Sequence, residues 1–287
     1  MKHVLAAVLI ALLSLTARAE TLSVATWNIE WFPGRSVNDA TPDEEAAQLE
    51  SARAVIRQLK PDILIAQELR LWDAFARLTE AHPPLRVNVV SAFRDHDDGT
   101  LLRQQVGIAS SLPCKAAWSE TWSRSIPGIP RGFSFAACQL GNDDKVVLVY
   151  GLHLKSNRAR DDEDARVNVA WRNESVIQLL QHVSEMERLV FKDRVRGVIV
   201  AGDFNTNHDK QFGDQVAALL VQQGFHNTWR DVPRDNRLSW RGNERFEPTT
   251  FDYIFTRGFG TPKARLVEVP DGISDHWPVV VELDVKD

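Results

Sequence analysis

The residues best suited to chemistry in this 287-residue sequence lie where apolar runs end in polar side chains. The clearest case is GVIVAGDFN, in which an apolar run at residues 198–201 leads to Asp203 and Asn205. If the strand persists, side chains two residues apart face the same side, so the carboxylate and the carboxamide lie together. Such groups bind hard cations and move protons. A strand-to-helix turn with Asp and Asn as caps is the alternative for this stretch alone.

Similar polar groups recur at five other places along the chain. Each stands at the end of an apolar, strand-like run or beside one: Asn28 with Glu30, Glu68, His153, Asp252, and Asp275 with His276. One acid at a strand end is ordinary, but turns alone do not explain this repetition. The pattern indicates a site assembled from several strand ends.

The elements that must position these groups are mostly strands. Strand-like runs cover residues 22–26, 63–67, 87–91, 106–110, 133–139, 146–153, 198–201, 251–256, 264–269 and 277–283. Helical patterns cover residues 43–60, 166–191 and 211–223. Strands outnumber helices, and several neighbouring runs have hairpin-like spacing. We therefore expect an α/β fold in which two mostly antiparallel sheets pack face to face with helices outside.

The N-terminus predicts a secretory signal peptide at residues 1–19. A short basic start, an apolar run at residues 4–16 and the sequence Ala17-Arg18-Ala19 are typical of such a peptide. The run is shorter than the roughly 20 residues of a membrane span, although an uncleaved anchor or a buried helix is the alternative. We expect a monomeric periplasmic or extracellular protein with one domain at residues 20–287 and no transmembrane segment.

Charge and cysteine content restrict the classes of function. The formal charge of −5 becomes −7 on loss of Lys2 and Arg18, which argues against a basic scaffold that coats DNA. The two cysteines, Cys114 and Cys138, are too few for a zinc-finger site. Each lies in or beside a predicted strand, and an exported protein meets oxidising conditions. We expect a Cys114–Cys138 disulfide, with two free buried thiols as the alternative.

Six segments together carry a family resemblance. In chain order, WNIE, QE, GLHLKSN, GDFN, DYIF and SDH resemble the endonuclease/exonuclease/phosphatase superfamily over residues 26–277. This is the fold of pancreatic-type deoxyribonucleases, abasic-site endonucleases, neutral sphingomyelinases and inositol polyphosphate 5-phosphatases. The resemblance implies a four-layer α/β sandwich and a metal-dependent phosphoric ester hydrolase.

The resemblance also implies a metal site. Glu68 is the expected main ligand, and Asn28, Glu30 and Asp275 are expected in or beside the same shell. At the position of Glu30, many relatives carry Asp. Phosphodiester hydrolysis needs a hard cation to neutralise the phosphate, and Mg²⁺ or Mn²⁺ prefers oxygen ligands. We therefore expect Mg²⁺ or Mn²⁺ as the cofactor.

Five residues receive catalytic roles from the same resemblance. His276 is expected to act as general base or as partner of the phosphate charge, with Asp252 holding its ring. Asp203 is expected to orient or deprotonate the attacking water, and Asn205 to donate to a phosphate oxygen. His153 is expected to act on the leaving oxygen or on a phosphate oxygen.

The catalytic set identifies a reaction but not a substrate. Lys155, in HLKSN, belongs to a segment similar to the histidine motif of secreted bacterial nucleases. Arg237, Trp240 and Arg241 suit phosphate contacts and base stacking, although a solvated loop beside a buried Trp explains them equally well. Export also suits degradation of extracellular DNA. These features predict a nuclease acting on DNA or RNA.

Two other classes of function remain open at this point. A phosphatase or phospholipase C-like hydrolase of inositol phosphate or sphingomyelin-type phosphoesters fits the negative charge and the lack of a Lys/Arg stripe. An inactive binding protein on the same fold is the third class. It is disfavoured because no position of the catalytic set is visibly replaced.

Overall fold

The computed structural model describes residues 21–122, 126, 128–141, 144–209 and 212–285, so the predicted signal peptide lies outside the described residues. These residues form twelve strands and four α-helices. The strands are β1 (Thr21–Phe32), β2 (Ile63–Leu69), β3 (Arg86–Val90), β4 (Gln105–Ser110), β5 (Cys114–Thr121), β6 (Gly132–Gln139), β7 (Val146–His153), β8 (Val195–Asp203), β9 (His226–Asn227), β10 (Asp252–Arg257), β11 (Arg265–Leu266) and β12 (Val279–Asp284). The helices are α1 (Pro42–Leu59), α2 (Trp72–Thr79), α3 (Asp162–Glu185) and α4 (Val216–Gln222).

The strands form two six-stranded sheets with the same internal plan. The first sheet has the order β11-β12-β1-β2-β4-β3, and the second has the order β5-β6-β7-β8-β10-β9. Each sheet contains one parallel pair at its centre, β1 with β2 and β7 with β8, and its other pairs are antiparallel. The prediction of two mostly antiparallel sheets is therefore confirmed.

Alternation along the strands separates two apolar layers. Val24 of β1 packs in the apolar cluster between the sheets. Ala25 and Trp27, whose side chains face the other side of the same strand, pack in the cluster with α1 and α2. At Gly151 of β7 the sheets approach so closely that an added Cβ would lie 2.8 Å from Ile65 Cγ2. The strands of a sheet that is buried on both faces have continuous apolar sequences, as these strands do.

The helices cover the outer faces of the sandwich. Helix α1 begins with a capping box, in which Glu44 N–H donates to Thr41 Oγ1 and Thr41 N–H donates to the Glu44 carboxylate. Helix α3 begins at Asp162, because Asp161, in the charge-rich segment at residues 158–166, accepts a hydrogen bond from Asp164 N–H at 2.8 Å. The prediction had begun this helix at residue 166. No helix in the described ranges has the length and apolar character needed to cross a membrane.

Three elements escaped the sequence prediction, and one of them, β9, has only two residues and so shows no strand pattern. Strand β5 lies at the edge of its sheet and has few buried residues, so it lacks a continuous apolar run. Helix α2 has only eight residues, too few for a clear helical period. Strand β1 also extends to Phe32, so that Asn28 and Glu30 lie within the strand.

The predicted disulfide is not present, since both cysteines are free thiols. Cys114 and Cys138 are paired residues of β5 and β6. The Cys114 thiol is directed to Ala116 O at 3.3 Å, however, and the Cys138 thiol to Ser110 Oγ at 3.6 Å. The adjacency of the two cysteines was predicted correctly, and the bond between them was not.

Gly202 provides a test of how strand β8 presents Asp203. Its φ is +147°, and an added Cβ would lie 1.9 Å from Leu152 O. We predict that Gly202→Ala lowers the free energy of unfolding by about 3 kcal/mol, because the backbone of β7 cannot move aside. Urea unfolding followed by circular dichroism measures this change.

The matched control is Gly260→Ala. Gly260 has φ +69° with no atom within 4 Å of an added Cβ, so it carries only the backbone penalty of about 1 kcal/mol. Equal losses in the two variants would mean that the close approach of β7 to β8 has no energetic importance.

Candidate active site

The two central parallel pairs end at the same edge of the sandwich. Asn28 of β1 is paired with Gln67, next to Glu68, and His153 of β7 is paired with Asp203 of β8. Asn28 joins the two sheets, because its Nδ2 donates to Glu68 Oε1 at 3.3 Å and to Asp203 Oδ2 at 3.0 Å. The two carboxylates therefore lie within about 6 Å of each other.

Glu68 is a buried carboxylate surrounded by donors. Besides Asn28, Gln104 Nε2 donates to Oε1 at 3.1 Å and Trp31 N–H donates to Oε2 at 2.9 Å. Burial raises the pKa of Glu68, and the hydrogen bonds from Trp31 and Asn28 oppose that rise. The Oε2 atom accepts only from Trp31 N–H among the described residues, so it keeps a lone pair for a further partner, as a cation ligand requires.

Arg131 supports the Glu68 carboxylate indirectly, through Gln104. Its Nη1 donates to Gln104 Oε1 at 2.8 Å, and its Nε donates to His153 O at 2.8 Å. Burial lowers the pKa of Arg131, and the charges of Glu68 and Asp203 oppose that effect. Sequence reasoning missed Gln104 and Arg131, since neither belongs to the segments that carried the family resemblance.

Asp275 is held in place by residues predicted for other roles. Trp240 Nε1 donates to Asp275 Oδ2 at 2.9 Å, and Asp275 N–H donates to Glu30 Oε2 at 3.0 Å. Arg35 Nε donates to the same Glu30 oxygen at 2.8 Å. Glu30 was predicted in or beside the metal shell, and its carboxylate binds the backbone of Asp275, another residue of that predicted shell. The neighbouring Ser274 hydroxyl donates to Asn28 O at 2.7 Å.

His276 and Asp252 form the predicted pair. His276 Nδ1 lies 2.7 Å from Asp252 Oδ2, which also accepts from Ser239 Oγ at 2.7 Å. Burial alone would lower the pKa of His276, but the charge and hydrogen bond of Asp252 outweigh it and raise the pKa to about 10. His276 is therefore an imidazolium at neutral pH, with its Nε2 4.0 Å from Asp203 Oδ2.

Asp203 also contacts the second histidine. His153 Nε2 lies 3.4 Å from Asp203 Oδ2, and His153 Nδ1 is buried without a hydrogen-bond partner among the described residues. Burial, followed by the charge of Arg131, lowers the pKa of His153 well below its usual value. Burial and the charge of Asp252 raise the pKa of Asp203. The site thus combines one charged and one neutral imidazole around a basic carboxylate.

Asn205 makes several hydrogen bonds within the protein in addition to the phosphate contact predicted for it. Its Nδ2 donates to Leu154 O at 3.1 Å, and its N–H donates to Asp203 Oδ1 at 2.9 Å. Asn157 Nδ2 donates to Asn205 O. One N–H of the Asn205 carboxamide remains for a phosphate oxygen.

The predicted substrate residues divide into two groups. Arg237 is buried, with Nη2 2.9 Å from Asp209 Oδ1, and Arg241 binds Asp271 and Val269 O. Trp240 is bound to Asp275, so all three side chains have partners in other segments of the chain. Only Lys155 of this set is left without an internal hydrogen bond or ion pair in the described chain.

Several residues of the site have a left-handed backbone. Among the described residues, φ is positive at Glu30 (46°), Trp31 (50°), Glu68 (60°), Arg131 (67°) and Asn205 (49°). Such a conformation is uncommon for residues with a Cβ and persists only where the surrounding structure imposes it. The left-handed backbone positions therefore include several residues that form or support the site.

The donor set fits a hard divalent cation. Oxygen ligands are available from Glu68, Asp275 and Asp203, and the Asp275 side chain is 41% exposed. Asp203, Asp252 and His276 also have ligand atoms within 4.8 Å of one another. In that second group, however, the contact between Asp252 and His276 already occupies one ligand atom of each residue. The charge of Asp275 is one cause of the raised pKa of Glu68, so these two carboxylates are close enough to interact and offer a second position for a cation.

Comparison with solved structures finds the same fold. An endonuclease/exonuclease/phosphatase family protein from Bacteroides thetaiotaomicron is 18% identical with a TM-score of 0.62, covering 92% of this chain and 97% of that one. Truncated TDP2 from Caenorhabditis elegans is 14% identical with a TM-score of 0.65, covering 94% and 100%. A mannosyl-6-phosphatase from B. thetaiotaomicron is 18% identical with a TM-score of 0.62, covering 91% and 99%. At these identities the likeness shows the fold alone.

Sequence comparison places the chain in a family. A search of curated proteins finds no match. The sequence model of the Endonuclease/Exonuclease/phosphatase family matches residues 25–276, from strand β1 to His276. The matched range contains every residue of the site described above. The chain therefore belongs to the Endonuclease/Exonuclease/phosphatase family.

Proposed function

We propose that this protein is an exported, divalent-metal-dependent phosphodiesterase that hydrolyses nucleic acid. The observation that carries the proposal is the convergence of Glu68, Asp203 and Asp275 beside the Asp252–His276 pair. Asp203 Oδ2 and Asp275 Oδ1 both lie within 4.0 Å of His276 Nε2, so the carboxylates surround one small volume. This volume accommodates a phosphate and a hydrated cation.

Glu68 and Asp275 would hold Mg²⁺ or Mn²⁺, with Asn28 fixing Glu68 from the side. The cation neutralises phosphate charge when bound. Trp240 and Glu30 keep Asp275 in position through its carboxylate and its backbone. Loss of either contact would therefore displace Asp275 and weaken the site, although Trp240 and Glu30 do not touch the reacting atoms.

The two histidines take different roles in this proposal. His276, kept protonated by Asp252, donates to a phosphate oxygen and stabilises the charge that develops on it. Asp203, whose pKa is raised, accepts the proton of the attacking water. His153 is neutral and orients the group that Asp203 deprotonates or the leaving oxygen. Of the two roles predicted for His276, the contact with Asp252 favours that of charge partner.

Nucleic acid is favoured as substrate by the HLKSN segment, by the unpaired Lys155 and by the predicted signal peptide. The internal contacts of Arg237, Trp240 and Arg241 remove one earlier argument for it. A phosphomonoesterase is the second candidate function, because one similar structure is a mannosyl-6-phosphatase. The charge of −7 after loss of Lys2 and Arg18 suits either candidate when a cation binds the phosphate.

Removal of the metal tests the first part of the proposal. We predict that excess EDTA abolishes hydrolysis of bis-p-nitrophenyl phosphate, and that Mg²⁺ or Mn²⁺ in excess over EDTA restores it. The physical reason is that without a cation the buried carboxylates repel the phosphate. Undiminished turnover in EDTA would rule out metal dependence.

Replacement of His276 tests the proposed charge partner. We predict that His276→Ala lowers kcat about 10²–10⁴-fold, because it removes a positioned acid from the reaction. The matched control is His82→Ala, at a partly exposed histidine in the turn between α2 and β3, which should leave kcat unchanged. Steady-state kinetics on bis-p-nitrophenyl phosphate measures both.

Loss of His276 also leaves Asp252 without its main partner, so stability must be separated from catalysis. The double variant with His276→Ala and Asp252→Asn removes the unpaired charge and should regain stability to urea without regaining activity. Recovery of activity together with stability would show that His276 has a structural role only.

A substrate panel separates the two candidate functions. Plasmid DNA, RNA, mannose 6-phosphate, an inositol phosphate and sphingomyelin are offered to the same enzyme. We predict nicking of plasmid DNA or cleavage of RNA without release of inorganic phosphate. Phosphate release from the monoesters with intact nucleic acid would replace the nuclease proposal by the phosphatase.

A further inference from the structure

Lys155 lies on the same side of its segment as the catalytic His153. The pairing of β7 with β8 continues one residue past the strand, because Leu154 N–H donates to Asp203 O at 2.9 Å. The Leu154 side chain is buried in the core between the sheets. By the alternation of an extended chain, the side chains of His153 and Lys155 face the opposite way, toward the site. The charge of Lys155 is also one of the causes that lower the pKa of His153.

Two buried guanidinium groups fix the backbone of residues 153–155. Arg131 donates from Nε to His153 O and from Nη2 to Leu154 O, at 2.8 and 2.7 Å. Arg172 of α3 donates from Nη1 to Lys155 O at 3.2 Å. Three consecutive carbonyls are therefore capped by arginine, which leaves the Lys155 ammonium attached to a rigid base.

The charges around Lys155 are not balanced. Arg172 is neutralised by Asp214 at 3.0 Å, and Arg131 faces the charges of Glu68 and Asp203. No carboxylate of the described chain lies within 4.0 Å of the Lys155 ammonium. Its half-buried position and the charges of Arg131 and Arg172 lower its pKa, whereas the charge of Asp164 opposes that effect. A partly desolvated ammonium that has no paired carboxylate is stabilised when an anion joins it.

Other cations of this chain lack that property. Lys145, at the opposite end of β7, donates to Asp193 O at 2.7 Å, and its side chain is exposed. Arg237 and Arg241, the other predicted substrate cations, are paired with Asp209 and Asp271. Lys155 alone of these combines partial burial, a fixed backbone and a free ammonium beside the catalytic histidine.

We propose that Lys155 binds an uncleaved phosphate of a nucleic-acid strand, the one next to the phosphodiester that is hydrolysed. Lys155 is two residues from His153, a span of about 6–7 Å along an extended chain. This span is comparable with the spacing of successive phosphates in an extended single strand. The inference rests on the proposed nuclease function and makes Lys155 a determinant of substrate class, because a small monoester has no second phosphate to offer.

The test compares Lys155→Gln with the control Lys145→Gln on two substrates. One is bis-p-nitrophenyl phosphate, which has a single phosphate, and the other is a short single-stranded DNA. With Lys155→Gln, the loss of kcat/KM on DNA should exceed the loss on the small diester by about ten- to hundredfold, the worth of one charge-assisted hydrogen bond. Lys155→Arg should restore most of it, and Lys145→Gln should change neither substrate.

Binding without cleavage gives an independent readout. Fluorescence anisotropy of the labelled DNA strand in EDTA should show weaker binding by Lys155→Gln and a salt dependence of log K reduced by about 0.7, as expected for one lost phosphate contact. A strand with uncharged methylphosphonates beside the central linkage should bind wild type and Lys155→Gln alike.

The outcomes separate this inference from the proposed function. Equal losses on both substrates, or an unchanged salt dependence, would overturn the role of Lys155 while leaving the phosphodiesterase intact. Failure of the wild type to hydrolyse bis-p-nitrophenyl phosphate in Mg²⁺ would overturn the proposed function, whereas the anisotropy measurement would still decide whether Lys155 binds a nucleic-acid phosphate.

Discussion

The site depends on burying several carboxylates close together and supplying each with hydrogen-bond donors. Glu68, Asp203 and Asp252 are nearly inaccessible to water, and burial opposes the ionisation of Glu68 and Asp203. The compensating groups come from different parts of the fold. Asn28 reaches from the first sheet to Asp203 in the second, and His276 approaches from the segment before β12. The two sheets must therefore be fully packed together before these buried charges are stable. The site cannot form without the complete fold.

Much of this arrangement was predictable, because strand ends are visible in sequence as apolar runs followed by polar residues. The convergence of Asn28 and Glu68 with His153 and Asp203 follows from two parallel pairs, whose strands end at the same edge of their sheets. The contact between Asp252 and the histidine of SDH was expected from the family resemblance, and the structure contains it. Apolar periodicity and ordered motifs were sufficient for these features.

The remaining features depend on contacts that no local pattern records. Gln104 and Arg131 reach the site from a loop and from the start of a strand, and their importance lies in which atoms they meet. Trp240 looked suited to stacking on a base, but its indole N–H binds Asp275. Glu30 was expected in or beside the metal shell, and the sequence did not reveal that Arg35 and the Asp275 backbone share its carboxylate. The type of a residue indicates what it can do, and only tertiary packing decides which partner it finds.

The hydrogen bonds of Asn28 have a consequence for the order of folding. They join it to Asp203, 175 positions away, and to Ser274, 246 positions away. Closing such long loops carries a large entropic cost that local structure cannot offset. Helices and hairpins can form early, but the constellation of ionisable groups exists only after the final collapse of the chain. Proteolytic fragments or kinetically trapped intermediates would hence retain much secondary structure while lacking any assembled reaction centre.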